Sequence, residues 1–303
     1  MSFRKERYQT YSPSLVSKLQ GYHEDISKEE LTDLFLEILN GGIHGFCYSL
    51  YEEGQEPGHI ISEDQIRRRM NILQPHTEWV RSFSCTEGNE LIPKVAKENG
   101  LKTMAGAWLG SDEEKNENEI ENLIQLCNQG LVNIAAVGNE VLYRNDLSLD
   151  QLLGYIKTVK EKTDGVPVGY VDAYYEFVER PELSEISDVI LCNCYPYWEG
   201  TSLEDSFQHM RHMYNQAKAA ANGKRVIVTE TGWPSEGKNL GGAIPSYENA
   251  MKYFINANLW SLDDDIELFY FSSFDEAWKV SSEGEVGAYW GIWDSKGNLK
   301  FNK

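Results

Sequence analysis

Basic residues are scarce in this sequence: 28 lysines and arginines stand against 48 aspartates and glutamates, and the formal net charge is −20 at pH 7. A partner rich in phosphate or sulfate would be repelled by this surplus of carboxylates unless basic residues clustered to meet it. The dense basic run 67–69 is flanked by Ile66 and Met70 at helical spacing, which predicts the solvated face of an amphipathic helix. We therefore expect no nucleic-acid partner and a neutral ligand.

Long apolar runs and a secretory leader are also missing. No stretch of about eighteen apolar residues occurs, so neither a membrane-spanning helix nor a membrane partner is expected. The first sixteen residues lack the apolar core of a signal peptide, which predicts a cytoplasmic protein, or a secreted or periplasmic one if an export signal was removed. The five cysteines are odd in number and mostly lie in apolar patterns, as expected for buried free thiols in a reducing compartment.

Several motifs that carry cofactor, metal or nucleophile chemistry are absent. There is no GxGxxG or GxxxxGK[ST] loop for a nucleotide, no HExxH for zinc and no GxSxG for a serine nucleophile. His209 and His212 could ligate a metal, but two histidines at this spacing more often lie on a solvated helix face. We expect no cofactor and no metal.

What the sequence does have is a regular alternation of short apolar runs and amphipathic stretches, which is typical of βα units and a parallel sheet. Eight repeats in about 260 residues fit a closed barrel, whereas a doubly wound sheet has fewer parallel strands and a glycine-rich first turn. The sequence therefore predicts the α/β class and a single-domain (β/α)8 TIM barrel. The eight predicted strands are 43–49, 79–84, 102–110, 132–138, 166–172, 188–196, 225–232 and 266–274.

Helix starts are predicted where a serine is followed three residues later by Gln or Glu, as at Ser62, Ser111 and Ser148. The same signal at Ser27 opens an apolar stripe that ends at a glycine pair, which predicts a leading helix that covers the bottom of the barrel. We divide the chain into an N-terminal extension and helix, 1–42, and the barrel, 43–303. We expect a monomer.

Two glutamates stand at the carboxyl ends of predicted strands, which converge on one face of a barrel. Glu140 follows the fourth run and Glu230 lies in the seventh. Two carboxylates on different sides of a mouth as wide as a sugar ring can act as acid and nucleophile in cleaving a glycosidic bond. A single glutamate in such a position could as well pair with a rim Lys or Arg, but two with suitable neighbours favour glycoside cleavage.

Those neighbours are polar and aromatic. Asn139 can hydrogen-bond a sugar hydroxyl, and Tyr195 can donate its hydroxyl to Glu230, although a core tyrosine is an equally good interpretation of Tyr195. Trp198 and Trp233 follow strands, where the apolar face of a pyranose ring can stack on an indole. Trp108 also stands at a predicted strand end, with no role assigned to it.

Seven segments, taken in their order and spacing, resemble glycoside hydrolase family 17, and more its microbial branch of β-1,3-glucanases and β-1,3-glucanosyltransferases than its plant branch. VGNEV is a weak signal alone, but VTETGWPS followed downstream by FDExWK is very specific. The segments are 46–58, 80–84, 137–141 (VGNEV), 193–198 (NCYPYW), 228–237 (VTETGWPSEG), 271–279 (FSSFDEAWK) and 290–300.

The resemblance implies a retaining double displacement on β-1,3-glucosidic linkages of β-glucans or laminari-oligosaccharides, with Glu140 as acid/base and Glu230 as nucleophile. Hydrolysis is the expected outcome; transfer to a second glucan chain, a β-1,3-glucanosyltransferase activity, is the alternative. An inactive β-glucan-binding protein is less favoured because both glutamates are retained. The resemblance implies further substrate-binding residues at Asn139, Tyr48, Arg81, Tyr195, Trp198, Trp233, Asp275, Glu276 and Lys279.

Overall fold

A computed structural model describes residues 26–302, so the predicted extension before Ile26 lies outside the described residues. The chain forms a closed barrel of eight parallel strands in sequence order, with the last strand paired to the first. The predicted (β/α)8 barrel is confirmed, and each predicted run overlaps one strand. The strands are β1 Ile43–Cys47, β2 Thr77–Arg81, β3 Lys102–Ala107, β4 Ile134–Asn139, β5 Val168–Ala173, β6 Val189–Asn193, β7 Arg225–Thr231 and β8 Leu268–Tyr270.

Helices surround the barrel and cover the outer faces of the strands, which explains why the strands read as nearly continuous apolar runs. In β6, for example, all five residues are buried. The helices are α1 Lys28–Gly41, α2 Glu63–Leu73, α3 Ile92–Glu98, α4 Glu113–Asn128, α5 Val141–Arg144, α6 Leu149–Lys162, α7 Tyr174–Glu179, α8 Pro181–Ile186, α9 Leu203–Ala220, α10 Tyr247–Asp263 and α11 Val280–Glu283. Short 3-10 turns at 74–76, 89–91, 277–279 and 285–288 complete the connections.

Serine caps start three of the four helices where the sequence predicted them. Ser27 and Ser148 form complete capping boxes, and the Ser62 hydroxyl accepts from the backbone N–H of Gln65. The prediction for Ser111 is wrong by one residue: Asp112 caps α4, because its carboxylate accepts from the backbone N–H of Lys115 at 3.2 Å. Aspartate and serine are comparably good caps, so composition alone does not choose between them.

The leading helix α1 is present, but its predicted place beneath the barrel is not what the structure shows. The buried stripe of α1 lies against α10 in the outer layer, where the Phe35 and Phe254 rings are 4.9 Å apart. Phe35 also contacts Phe301 near the end of the chain. After β8 the chain forms only the short α11 and two 3-10 turns, so α1 supplies the apolar helix face on that side of the barrel.

All five cysteines are buried and free, as predicted. In the part of the chain from residue 26 to 302, no helix combines the length and the apolar character needed to cross a bilayer.

Candidate active site

The backbone at the end of β4 is irregular, and the irregularity sets the direction of Asn139 and Glu140. The register with β5 shifts between Ala136 and Asn139, and Glu140 has a φ of 52°, which is unfavourable for a residue with a Cβ. Gly138 has a φ of 83°, and a Cβ there would lie 2.8 Å from the Val141 side chain. Strained backbone of this kind is concentrated at functional sites, where the surrounding structure maintains it.

A second register shift occurs in β7, around Glu230. The Glu230 carboxylate accepts a hydrogen bond from Arg81 Nη1 at 2.6 Å and from the Tyr195 hydroxyl at 2.8 Å. The sequence predicted the second of these contacts. Because both partners donate to the carboxylate, they fix its orientation and stabilise its negative charge. Burial, with the nearby Glu230 charge, raises the pKa of Tyr195, so its hydroxyl remains a donor.

Arg81 connects β4 and β7 from the interior of the barrel. It is only 1% exposed, and its Nη2 donates to Asn139 Oδ1 at 2.7 Å while Nη1 holds Glu230. Its guanidinium carbon lies 4.2 Å from the centroid of the Phe83 ring. Since Asn139 Oδ1 accepts from Arg81, Asn139 is left to offer its Nδ2 hydrogens to a ligand.

Glu140 lies in a different environment from Glu230. Its Oε1 accepts from Asn193 Nδ2 at 2.9 Å, and Asn193 Oδ1 in turn accepts from the Thr229 hydroxyl at 2.8 Å. Burial, together with the negative charges of Glu230 and Asp172, raises the pKa of Glu140 to about 7. Glu140 is therefore a carboxylic acid that keeps its proton near neutral pH, which is the property required of a general acid.

Both glutamates line one open pocket, whose volume of about 620 Å³ includes space open to solvent. Carboxylates and aromatic rings dominate the wall, and none of its lining residues is basic. The lining residues are Glu140, Tyr143, Ala173, Tyr174, Tyr175, Asn193, Tyr195, Trp198, Glu199, Glu230, Phe271 and Glu283.

Glu283 is a third glutamate in this wall. Its carboxylate accepts from Trp290 Nε1 at 2.9 Å, and burial raises its pKa to about 7 although nearby Lys279 opposes the shift. Burial alone would lower the pKa of Lys279, but the carboxylates of Glu276 and Glu283 raise it. Lys279 Nζ lies 2.6 Å from Glu276 Oε2, so the ammonium stays charged between them.

The structure brings together most of the predicted site residues. Glu230, Asn139, Arg81 and Tyr195 form one hydrogen-bonded group. Glu140, which is held separately by Asn193, lies with Trp198 in the wall of the same pocket. Lys279 contacts this wall through the Phe271 ring, 4.3 Å from Nζ to the centroid. Glu276 stands behind Lys279 and accepts from the Tyr51 backbone N–H at 3.1 Å.

Three predicted residues are not among those that line the pocket. Tyr48 is 2% exposed and donates its hydroxyl to the Ile66 carbonyl at 2.8 Å. Trp233 is 1% exposed and donates Nε1 to the Ile244 carbonyl at 3.0 Å, so it presents no ring face to a sugar. Asp275 forms an ion pair with Lys300 at 2.9 Å and accepts from the Gly291 N–H. These residues support the loops around the site.

Sequence reasoning also missed pocket residues. Asn193, which holds Glu140, lies in the quoted NCYPYW segment at the end of β6, so its strand-end position was an available signal. Glu283 and Glu199 had no comparable signal, because they follow loops and short helices whose path the local pattern does not define.

This barrel holds at its carboxyl-end pocket one glutamate with a raised pKa, Glu140, and one held by Arg81 and Tyr195, Glu230. Two such carboxyl groups are what the cleavage of an acetal requires, and the fold and site together are those of a glycoside hydrolase. The sequence profile of the BtgE/BtgC glycoside hydrolase domain matches residues 45–291. The chain belongs to that family, and thereby to glycoside hydrolase family 17.

Similar proteins agree with this assignment. The chain is 27% identical over 265 residues to a glucan 1,3-beta-glucosidase of Candida albicans, with 77% of this chain and 84% of that protein covered. It is 30% identical over 253 residues to a glucan 1,3-beta-glucosidase of Schizosaccharomyces pombe, covering 76% and 78%. A crystal structure of a glycoside hydrolase family 17 beta-1,3-glucanosyltransferase from Rhizomucor miehei superimposes with a TM-score of 0.76 at 30% identity, covering 86% of this chain and 96% of that one.

Proposed function

We propose that this protein cleaves β-1,3-glucosidic linkages of β-glucans or laminari-oligosaccharides with retention of configuration. The observation that carries the proposal is the contrast between two glutamates in one pocket: Glu140 keeps a proton to about pH 7, while Glu230 accepts hydrogen bonds from Arg81 and Tyr195. The choice of the β-1,3-glucosidic linkage is supported by the names of the similar proteins, which are glucan 1,3-beta-glucosidases and a beta-1,3-glucanosyltransferase.

In the first step Glu140 donates its proton to the glycosidic oxygen while a Glu230 oxygen attacks the anomeric carbon. The bond from that carbon to the leaving oxygen breaks, and a glycosyl ester on Glu230 forms. In the second step Glu140, now a carboxylate, takes a proton from water as the water oxygen attacks the same carbon. The ester bond breaks, and Glu230 is restored as a carboxylate.

Transfer to a second glucan chain is the alternative outcome of the second step. It is favoured by the likeness to the Rhizomucor miehei glucanosyltransferase, which covers nearly all of that chain. The aromatic pocket wall, with Tyr174, Tyr175 and Trp198, also offers surfaces on which an acceptor sugar could rest. An acceptor sugar attacks through a hydroxyl as water does, so both outcomes use the same two glutamates.

The test is incubation of the purified protein with linear laminari-oligosaccharides of graded length, with all products followed over time. Shorter products alone support hydrolysis, and products longer than the starting sugar establish transfer. Glu230→Gln should lower turnover by several orders of magnitude while laminari-oligosaccharide binding stays measurable by calorimetry. Glu121→Gln is the matched control, because Glu121 is exposed on α4 and should change nothing. Unchanged turnover in Glu230→Gln would defeat the nucleophile assignment.

We expect the protein to act as a monomer, without nucleic-acid or membrane partners. The acidic charge supports a neutral substrate such as glucan. The buried free thiols suit the predicted cytoplasmic location, which fractionation of the native host would test.

A further inference from the structure

The pocket with the two glutamates occupies one side of the barrel mouth. Every residue in its lining lies between positions 140 and 283, at the carboxyl ends of β4 to β8 or in the segments that follow them. A glucan chain longer than a few sugars would extend past this pocket toward the loops that follow β2 and β3. Those loops carry Phe83 and Trp108, two aromatic residues that the proposed reaction does not use.

Trp108 follows β3 directly and is 42% exposed. It is the one tryptophan among the exposed large apolar side chains of residues 26–302. An exposed indole beside an active-site mouth presents an apolar face to water, and such surfaces commonly serve as ligand contacts. A pyranose ring has a matching apolar face made by its C–H groups.

The indole ring is held in place from behind. The guanidinium carbon of Arg144 lies 4.5 Å from the ring centroid, and Arg144 Nη2 donates to the Leu109 carbonyl at 2.8 Å. Arg144 Nη1 also donates to the Asn139 carbonyl, next to Glu140. The Arg144 guanidinium, which is hydrogen-bonded to the end of β4, thus covers one face of the indole ring. The opposite face is the one on which a ligand would stack.

The backbone that carries Trp108 is fixed as well. The buried carboxylate of Glu119, on α4, accepts from the Trp108 N–H at 3.1 Å and from the Cys85 N–H at 2.7 Å. It also accepts from the Thr86 hydroxyl at 2.6 Å. One carboxylate therefore joins the loops after β2 and β3. A ring held this firmly loses little conformational entropy when a ligand stacks on it.

Phe83 links this side of the mouth to the pocket. Its ring lies edge-on to Phe271, a pocket-lining residue, with centroids 6.3 Å apart. A Cβ on Gly106, in β3, would lie 2.8 Å from the Ser82 carbonyl, so β3 packs directly against the backbone beside Phe83. Phe83 therefore contacts the pocket wall from the loop after β2, and Trp108 follows the neighbouring strand β3.

We propose that Trp108, which follows the strand next to the one that precedes Phe83, forms a distal subsite on which one glucosyl unit of an extended β-1,3-glucan stacks. The inference depends on the proposed glucan activity and adds to it a preference for longer chains. The glucosyl unit rests on the indole face opposite Arg144, and the chain continues over Phe83 to the pocket of Glu140 and Glu230. Short oligosaccharides fill the pocket without reaching Trp108.

The test compares Trp108→Ala with the conservative Trp108→Phe on two substrates, laminaritriose and laminariheptaose. Trp108→Ala should lower kcat/KM for the heptaose by about five- to tenfold, the size expected for one lost aromatic stack. The trisaccharide should change by less than about twofold on the same reasoning. Trp108→Phe should retain most of the heptaose activity. Trp108→Leu, which keeps an apolar side chain, replaces the alanine variant if that one fails to fold.

An equal loss of kcat/KM on both substrates in Trp108→Ala would overturn the subsite. Trp108 would then act on Glu140 through Arg144 and would not bind a distal sugar. Unchanged kcat/KM on the heptaose would overturn it too, as would a Trp108→Phe variant as impaired as Trp108→Ala. Failure of the wild-type protein to act on either sugar would reject the proposed function and this inference together. An active wild type with an unaffected Trp108→Ala rejects the subsite alone.

Discussion

Replacing Glu140 by Gln should abolish its acid function and, at alkaline pH, make the protein more stable. The raised pKa means that the folded protein holds this proton more tightly than the unfolded chain does. Below pH 4.5 the carboxyl is protonated in both states and contributes nothing to the difference. As pH rises from 4.5 to about 7 the unfolded chain ionises while the folded protein still holds the Glu140 proton, so stability is lost across that window. Above about pH 7 the carboxyl is ionised in both states and the loss remains.

The magnitude follows from the shift of Glu140 from 4.5 to about 7. Each unit of pKa corresponds to about 1.4 kcal/mol, so this shift would lower the free energy of unfolding at alkaline pH by about 3 kcal/mol if Glu140 were fully removed from water. Glu140 lines a pocket that is open to solvent, so we expect about 1–2 kcal/mol instead. Gln keeps the oxygen that accepts from Asn193 and has no charge to bury.

The assay is urea unfolding of the wild type and Glu140→Gln at pH 4.5 and pH 8, followed by circular dichroism. The two proteins should be nearly equal at pH 4.5, and the variant should be more stable at pH 8, by about 2–4 °C in a parallel melting experiment. Equal stability at both values would refute the raised pKa. A variant less stable at pH 8 would mean that Glu140 is ionised and favourably paired in the folded protein.

Two further predictions concern the same pocket. Tyr195→Phe removes the hydroxyl that donates to Glu230 at 2.8 Å, so kcat should fall by about tenfold or more with little change in KM; a change confined to KM would show that Tyr195 binds sugar and does not orient the nucleophile. Loss of the Glu140 proton should lower kcat/KM about tenfold per pH unit above about pH 7. Because burial also raises the pKa of Glu283 to about 7, Glu283→Gln is the control; disappearance of the alkaline limb in that variant would assign the limb to Glu283.

The barrel itself was predictable, because each strand is buried on both faces and leaves an uninterrupted apolar run in the sequence. The eight runs overlap the eight strands, and Glu140 and Glu230 fall at strand ends that the closed barrel brings to one mouth. The place of α1 was not predictable from its own pattern. Its apolar stripe indicates that one side is buried, but not that the buried partner is α10.

The directions of side chains just past the strand ends could not be predicted from the sequence either. Tyr48 lies one residue past β1 and Trp233 two residues past β7, where strand alternation no longer applies. Both side chains turn to backbone carbonyls inside the outer layer, at Ile66 and Ile244. The hydrogen bond from Tyr195 to Glu230 was predictable, since both residues belong to neighbouring strand ends and their chemistry is complementary.

The network beneath the glutamates depends on contacts that are distant in sequence. Arg81 on β2 reaches Glu230 on β7 and Asn139 on β4, and no pattern around position 81 indicates these partners. Glu283 reaches the pocket from a four-residue helix, α11, that follows a 3-10 turn at 277–279. Such placements follow from closure of the barrel and from the loops packed on it.

The central claim is that Glu140 and Glu230 perform a double displacement on a β-1,3-glucan. Proton NMR of the first sugars released from a β-linked laminari-oligosaccharide tests it most directly, because the anomeric signals appear before mutarotation mixes them. A retaining enzyme releases the β-anomer first. Initial release of the α-anomer would contradict the account.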